Sequence, residues 1–107
     1  MIKYKIHQIK DIANTDYAFR GYDSEKFCIL DYECRYTGEC SVPFIDPETG
    51  NQVSVMDILE DLFVKFNVNR PLDFKGHSLS MSDVIELEYE SGKKELYYCD
   101  RFGWKQV

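Results

Sequence analysis

Alternating apolar and polar residues predict two strands in the first half of the chain. Residues 2–7 (Ile-Lys-Tyr-Lys-Ile-His) alternate with a period of two, which indicates an amphipathic strand with a basic outer face. The stretch from Phe27 to Thr37 alternates in the same way and predicts a second strand. In that strand Cys28 and Cys34 are expected to point inward as small hydrophobic residues.

The clearest helical pattern begins at Val55. Apolar residues recur there at intervals of three and four, which gives one apolar face. They are Val55, Ile58, Leu59, Leu62, Phe63 and Phe66. Ser54 and Asp57 form a variant of the capping box, and Pro71 ends any helix before it. We therefore predict one amphipathic helix that starts after Ser54.

The C-terminal part of the chain predicts an antiparallel meander. Residues 85–90 alternate between apolar side chains and glutamates, and residues 91–93 (Ser-Gly-Lys) have turn chemistry. Residues 95–99 return as a strand, residues 100–103 turn again, and residues 104–107 form a short last strand. An exposed last strand could pair with a second copy of the chain to form a homo-oligomer.

Together these elements predict an α+β fold, with one main amphipathic helix packed on a mostly antiparallel sheet. Residues 38–52 are expected to form a loop. The chain has 107 residues, of which 44% are hydrophobic, and this is enough for one core. Because no linker or repeat is visible, residues 1–107 are predicted to form a single domain.

Charge and hydropathy narrow the classes of function. The formal net charge is −6 and no cluster of Lys and Arg is present, which disfavours direct nucleic-acid binding. No apolar run reaches the length of a membrane span, and the N-terminus lacks the pattern of a signal peptide. We therefore expect a cytoplasmic protein without membrane insertion, in which cysteines stay reduced.

The four cysteines give little support for a metal site. Structural zinc sites use closely spaced pairs of cysteines, whereas Cys28, Cys34 and Cys40 are separated by five residues each, and Cys99 is distant. Buried free thiols are the favoured interpretation, with a metal site or a disulfide as the alternatives. No metal and no cofactor are predicted.

The segment from Asp73 to Asp83 is rich in polar residues. Its serines and His77 suggest a Ser/His/Asp site, but the partners of such triads normally come from distant segments. A structural interpretation fits better: Ser80 caps one helical turn, Asp83 reaches back to it, and Gly76 supplies a backbone angle that other residues disfavour. The rival interpretation is a recognition surface on this loop. No catalytic residue is predicted, so we do not expect an enzyme.

Two longer strings of residues resemble the YodL domain family. They are Gly76-His77-Ser78-Leu79-Ser80-x-Ser82-Asp83 and Tyr97-Tyr98-Cys99-Asp100-x-Phe102-Gly103-Trp104. The family more often has His at the position of Arg70 and Phe at that of Trp104. The resemblance implies a bacterial domain that is often carried on mobile genetic elements. For the family that the chain resembles, no catalytic activity or cofactor is established.

Two functional hypotheses follow. The first is a non-enzymatic protein-interaction module with an unidentified protein partner. Its candidate surface consists of His77, Ser78, Ser80, Ser82, Asp100 and Arg101. The alternative is an acidic, nucleic-acid-associated or DNA-mimic accessory protein of a mobile element. That alternative requires several carboxylates to gather on one face.

Overall fold

The described residues (2–40, 55–68 and 70–107 of a computed structural model) form an α-helix and a five-stranded antiparallel sheet. The elements are β1 (Ile2–Ile9), β2 (Tyr32–Cys40), α1 (Val55–Val68), β3 (Val84–Glu88), β4 (Lys94–Asp100) and β5 (Gly103–Gln106). The strands lie in the order β2-β1-β3-β4-β5. The α+β fold and the C-terminal meander of β3, β4 and β5 are therefore confirmed, and β5 lies at an edge of the sheet.

The helix covers one face of the sheet because its apolar stripe meets the inward side chains of the central strands. Ile2, Tyr4 and Ile6 of β1 are buried on this face. The same core contains Ile58, Leu59, Leu62, Phe66, Ile85, Leu87 and Tyr97. Each large apolar side chain buried in this way contributes about 1.5–3 kcal/mol. This helix-side core confirms the apolar face predicted for α1.

A second core lies on the opposite face of the sheet, under the chain between β1 and β2. It consists of Ile9, Tyr17, Tyr32, Val84 and Tyr98. Hydroxyl groups attach the covering segment: Tyr17 donates to Asp31 Oδ2 over 2.7 Å, and Tyr98 donates to the carbonyl of Arg20 over 2.8 Å. Both faces of the sheet are therefore partly covered, although residues 10–31 contain only two short 3₁₀ turns, at Ile12–Asn14 and Ile29–Asp31.

Strand β2 differs from its prediction at both ends. It begins at Tyr32 instead of Phe27 because a 3₁₀ turn precedes it, and it continues to Cys40, into the predicted loop. The β1–β2 register shifts between Ile6, which pairs with Tyr36, and His7, which pairs with Cys34. One residue is thus left over in β2 as a bulge, which reverses the alternation of side chains.

The expectation that Cys28 and Cys34 are buried is wrong. Cys28 lies before the strand begins, and the bulge turns Cys34 away from the helix-side core; both are exposed. Cys40 and Cys99 are the buried cysteines, and all four are free.

The predicted helix is confirmed over the part that the structure describes. Its cap at Ser54 and most of the predicted loop at 38–52 lie outside the described residues. Among the helices of the described ranges, none has the length and apolar character needed to cross a membrane.

Candidate interaction site

The corner before β3 is built around the carboxylate of Asp83, which is only 1% exposed. Its Oδ2 accepts a hydrogen bond of 2.8 Å from the backbone N–H of Ser80. The backbone N–H of Asp83 in turn donates to the carbonyl of Ser80 over 3.1 Å. Asp83 therefore reaches back to Ser80 as predicted, but it closes a tight turn and not a turn of helix.

Gln8, at the end of the inward series of β1, connects this corner to the sheet. It is fully buried, and its Nε2 donates to Asp83 Oδ2 over 3.1 Å and to the carbonyl of His77 over 2.9 Å. A Cβ atom at Gly76 would collide with Gln8 Oε1 and with the ring of Phe74. Gly76 is needed for this close approach, so the expectation that it supplies a special backbone angle is wrong: the positive φ lies at Ser82.

His77 lies between the buried carboxylate and the surface. Its Nδ1 is 2.7 Å from the carbonyl oxygen of Ser78 and 3.3 Å from Gln8 Nε2. The other ring nitrogen, Nε2, is 3.8 Å from Asp83 Oδ1. Burial raises the pKa of Asp83 to about 7, although the Ser80 N–H and the nearby imidazole of His77 partly oppose that rise.

Two residues at this corner have positive φ angles, one within it and one packed against it. They are Phe19, with φ 61°, and Ser82, with φ 80°. The backbone N–H of Phe19 donates to Ser82 Oγ over 2.9 Å, and the hydroxyl of Tyr32 donates to the carbonyl of Ser82 over 2.6 Å. The Phe19 ring lies 5.4 Å from the imidazole of His77 and remains 46% exposed. The strained backbone therefore holds an aromatic ring at the surface.

An open groove of about 710 Å³ continues from the corner. Residues 20–24 line one side of it and residues 100–102 line the other. Asp100 Oδ1 joins the two sides, because it accepts the backbone N–H of Tyr22 over 3.0 Å and that of Arg101 over 2.8 Å. The backbone N–H of Ser82 donates to the carbonyl of Cys99 over 2.9 Å, which connects the corner to β4.

The structure places the six candidate residues in three settings. Ser78 and Arg101 are exposed, whereas His77, Ser80 and Asp100 are half-buried. Ser82 is 2% exposed, so its hydroxyl lies inside the corner and is not presented at the surface.

Sequence reasoning missed Gln8 and Phe19. Gln8 could have been noticed as a polar residue that continues the inward series of Ile2, Tyr4 and Ile6. Nothing in the local sequence indicates the backbone angle of Phe19. Within residues 2–40, 55–68 and 70–107, no group of three or more His, Cys, Asp or Glu residues could hold a metal ion.

These features define a small α+β domain with a polar corner that is held by a buried hydrogen-bond network. The family model described as the YodL-like domain matches residues 3–107, so the chain belongs to the YodL-like domain family. Comparisons with the curated proteins and with the solved structures gave no significant match.

Proposed function

We propose that this domain is a non-enzymatic protein-interaction module. Its contact surface would consist of Phe19 and the corner residues His77, Ser78 and Ser80, together with the adjoining turn at Asp100 and Arg101. The proposal is carried by Phe19 and Ser82. Both residues have positive φ angles, a hydrogen bond joins them, and the aromatic ring of Phe19 is exposed. Strained backbone persists where the surroundings fix it, and it is concentrated at functional sites.

The arrangement beneath the surface supports binding more than chemistry. The Asp83 carboxylate is almost completely buried and accepts hydrogen bonds from within the protein. The Ser80 hydroxyl donates to the carbonyl of Ser78 over 2.8 Å and is not directed at His77. The polar groups thus hold the loop in one conformation, so the loop loses less conformational entropy when a partner binds.

The position of the carboxylates gives no support to the DNA-mimic alternative. Glu86 and Glu88 alternate with Ile85 and Leu87, so they lie on the sheet face opposite α1. Glu86 also lies close to two side chains of β1: its carboxylate is 3.9 Å from Lys5 Nζ and 3.4 Å from His7 Nε2. Helix α1, which carries Asp57, Glu60 and Asp61, packs on the other face of the sheet. A mimic of the phosphate backbone would need these charges on a single face.

The proposal is tested by comparative capture of partners from an extract of the host cells. Wild-type domain, Phe19→Asn and a control variant on the outer face of α1, Val64→Gln, are immobilised, and retained proteins are quantified by mass spectrometry. Asn tolerates positive φ, so Phe19→Asn is expected to fold. A partner retained by wild type and Val64→Gln and lost with Phe19→Asn supports the proposal. If all retained proteins bind Phe19→Asn equally well, the contact surface is placed wrongly.

A further inference from the structure

The groove beside the corner contains two arginines, Arg20 and Arg101. Within the described residues, neither guanidinium forms a salt bridge. The two acids of the groove each have partners through one oxygen: Asp23 Oδ1 accepts the backbone N–H of Glu25 over 2.9 Å, and Asp100 Oδ1 accepts two backbone N–H groups. The two guanidinium groups are therefore the charged groups of the groove for which the described part of the chain supplies no partner.

An apolar side chain borders the same groove. Phe102 lies in the turn between β4 and β5 and is 94% exposed. Gly103, with φ 101°, gives this turn its shape. Phe102 would lose unfavourable contact with water if a partner covered it. Cationic and apolar groups thus lie side by side along one open surface.

We propose that this groove binds an acidic segment of a partner protein. A carboxylate of the segment would lie between Arg20 and Arg101, and an apolar side chain next to it would cover Phe102. Guanidinium groups suit this role because they bind carboxylates through paired, charge-assisted hydrogen bonds. The inference rests on the proposed function and adds the chemistry of the partner.

A protein segment fits the groove better than a nucleic acid does. Nucleic-acid binding depends on several phosphate contacts and a basic surface. This chain has a net charge of −6, and Asp23 and Asp100 lie beside the two arginines. A single carboxylate can approach the guanidinium groups locally, whereas a continuous row of phosphates would also meet these acids.

The test starts from a displayed library of short random peptides selected on the wild-type domain. We expect selected sequences to combine Asp or Glu with a neighbouring aromatic or aliphatic residue. Fluorescence anisotropy with one such peptide then compares wild type with Arg20→Gln and Arg101→Gln, each expected to weaken binding about tenfold. Arg70→Gln removes the same charge outside the groove lining and should bind like wild type. Circular dichroism confirms that each variant is folded.

Several results would overturn the inference. In the selection, they are basic or uncharged peptides, or no selected peptide at all. In the anisotropy measurement, they are equal binding by the groove variants and Arg70→Gln. In competition, a single-stranded oligonucleotide would displace the bound peptide at a lower concentration than free peptide does. Failure of the proposed function is distinguishable. A captured partner that depends on Phe19 and not on either arginine overturns only the chemistry inferred for the groove.

Discussion

The backbone N–H of Phe19 donates a hydrogen bond to Ser82 Oγ over 2.9 Å, and both residues have positive φ angles. The two residues are 63 positions apart in sequence, so this bond joins the segment after β1 to the turn before β3. Left-handed backbone costs about 1–2 kcal/mol for a residue with a side chain. The hydroxyl of Ser82 compensates part of that cost by satisfying an N–H that its neighbours leave free.

We predict that Ser82→Ala destabilises the domain more than Ser82→Gly. Both changes remove the acceptor of the Phe19 N–H, which costs about 1–3 kcal/mol. Glycine also relieves the strain at φ 80°, so the glycine variant should be more stable than the alanine variant by about 1 kcal/mol. Urea unfolding followed by Trp104 fluorescence measures both. Equal stability of the two variants would mean that the backbone at Ser82 is not strained.

Gly76→Ala should destabilise the domain by about 1–3 kcal/mol, because its Cβ has no space. The new methyl would meet the buried Gln8 side chain and the ring of Phe74, whose Cζ would be 2.9 Å away. Gln8→Ala removes the first obstacle, so the added cost of Gly76→Ala should shrink in that background. Urea unfolding of the four proteins of this double-mutant cycle gives the coupling. The same cost in both backgrounds would contradict the collision with Gln8.

The elements that the sequence predicts well are those with local patterns. Helix α1 and the strands of the meander repeat apolar residues at their own period, so each pattern can be recognised without knowledge of its neighbours. The bulge in β2 cannot be recognised in this way. It arises from pairing with β1, and the one residue it inserts decides that Cys34 faces away from α1.

In the candidate site, too, the local contacts can be predicted from the sequence and the long-range contacts cannot. The bond from the Ser80 N–H to Asp83 spans three residues and follows from a capping pattern. The contacts of Gln8 with His77 and Asp83 span 69 and 75 residues, and they depend on how β1 packs against the corner. Sequence reasoning therefore located the loop but not the residues that hold it from below.

Thiol labelling should distinguish two pairs of cysteines. Cys28 and Cys34 are exposed, whereas Cys40 and Cys99 are buried, and burial raises the pKa of the Cys99 thiol to about 12. Because the thiolate is the reactive form, we expect two thiols to react quickly in the native protein and all four to react in denaturant. Mass spectrometry after limited labelling identifies the sites. Fast labelling of Cys99 in the folded domain would contradict its burial in β4.

The buried carboxylate of Asp83 should make stability depend on pH. Burial raises its pKa in the folded protein to about 7, from a usual value of 3.8. Between these two values the folded state keeps a proton that the unfolded chain has released, so this group's contribution to stability is complete below about pH 4 and is lost as the pH rises through about 7. Asp83→Asn cannot titrate but retains an oxygen acceptor for the Ser80 N–H.

Urea unfolding from pH 4 to pH 8 should therefore show that the free energy of unfolding of wild type falls relative to that of Asp83→Asn as the pH rises. The matched control is Glu25→Gln, an exposed carboxylate in the segment before β2, which should leave the wild-type profile unchanged in this range. Titration of the Asp83 carboxyl carbon by NMR locates the proton directly. A midpoint near 4, or parallel profiles for wild type and Asp83→Asn, would mean that water or protein dipoles solvate this carboxylate despite its burial, and that the corner does not respond to pH through Asp83.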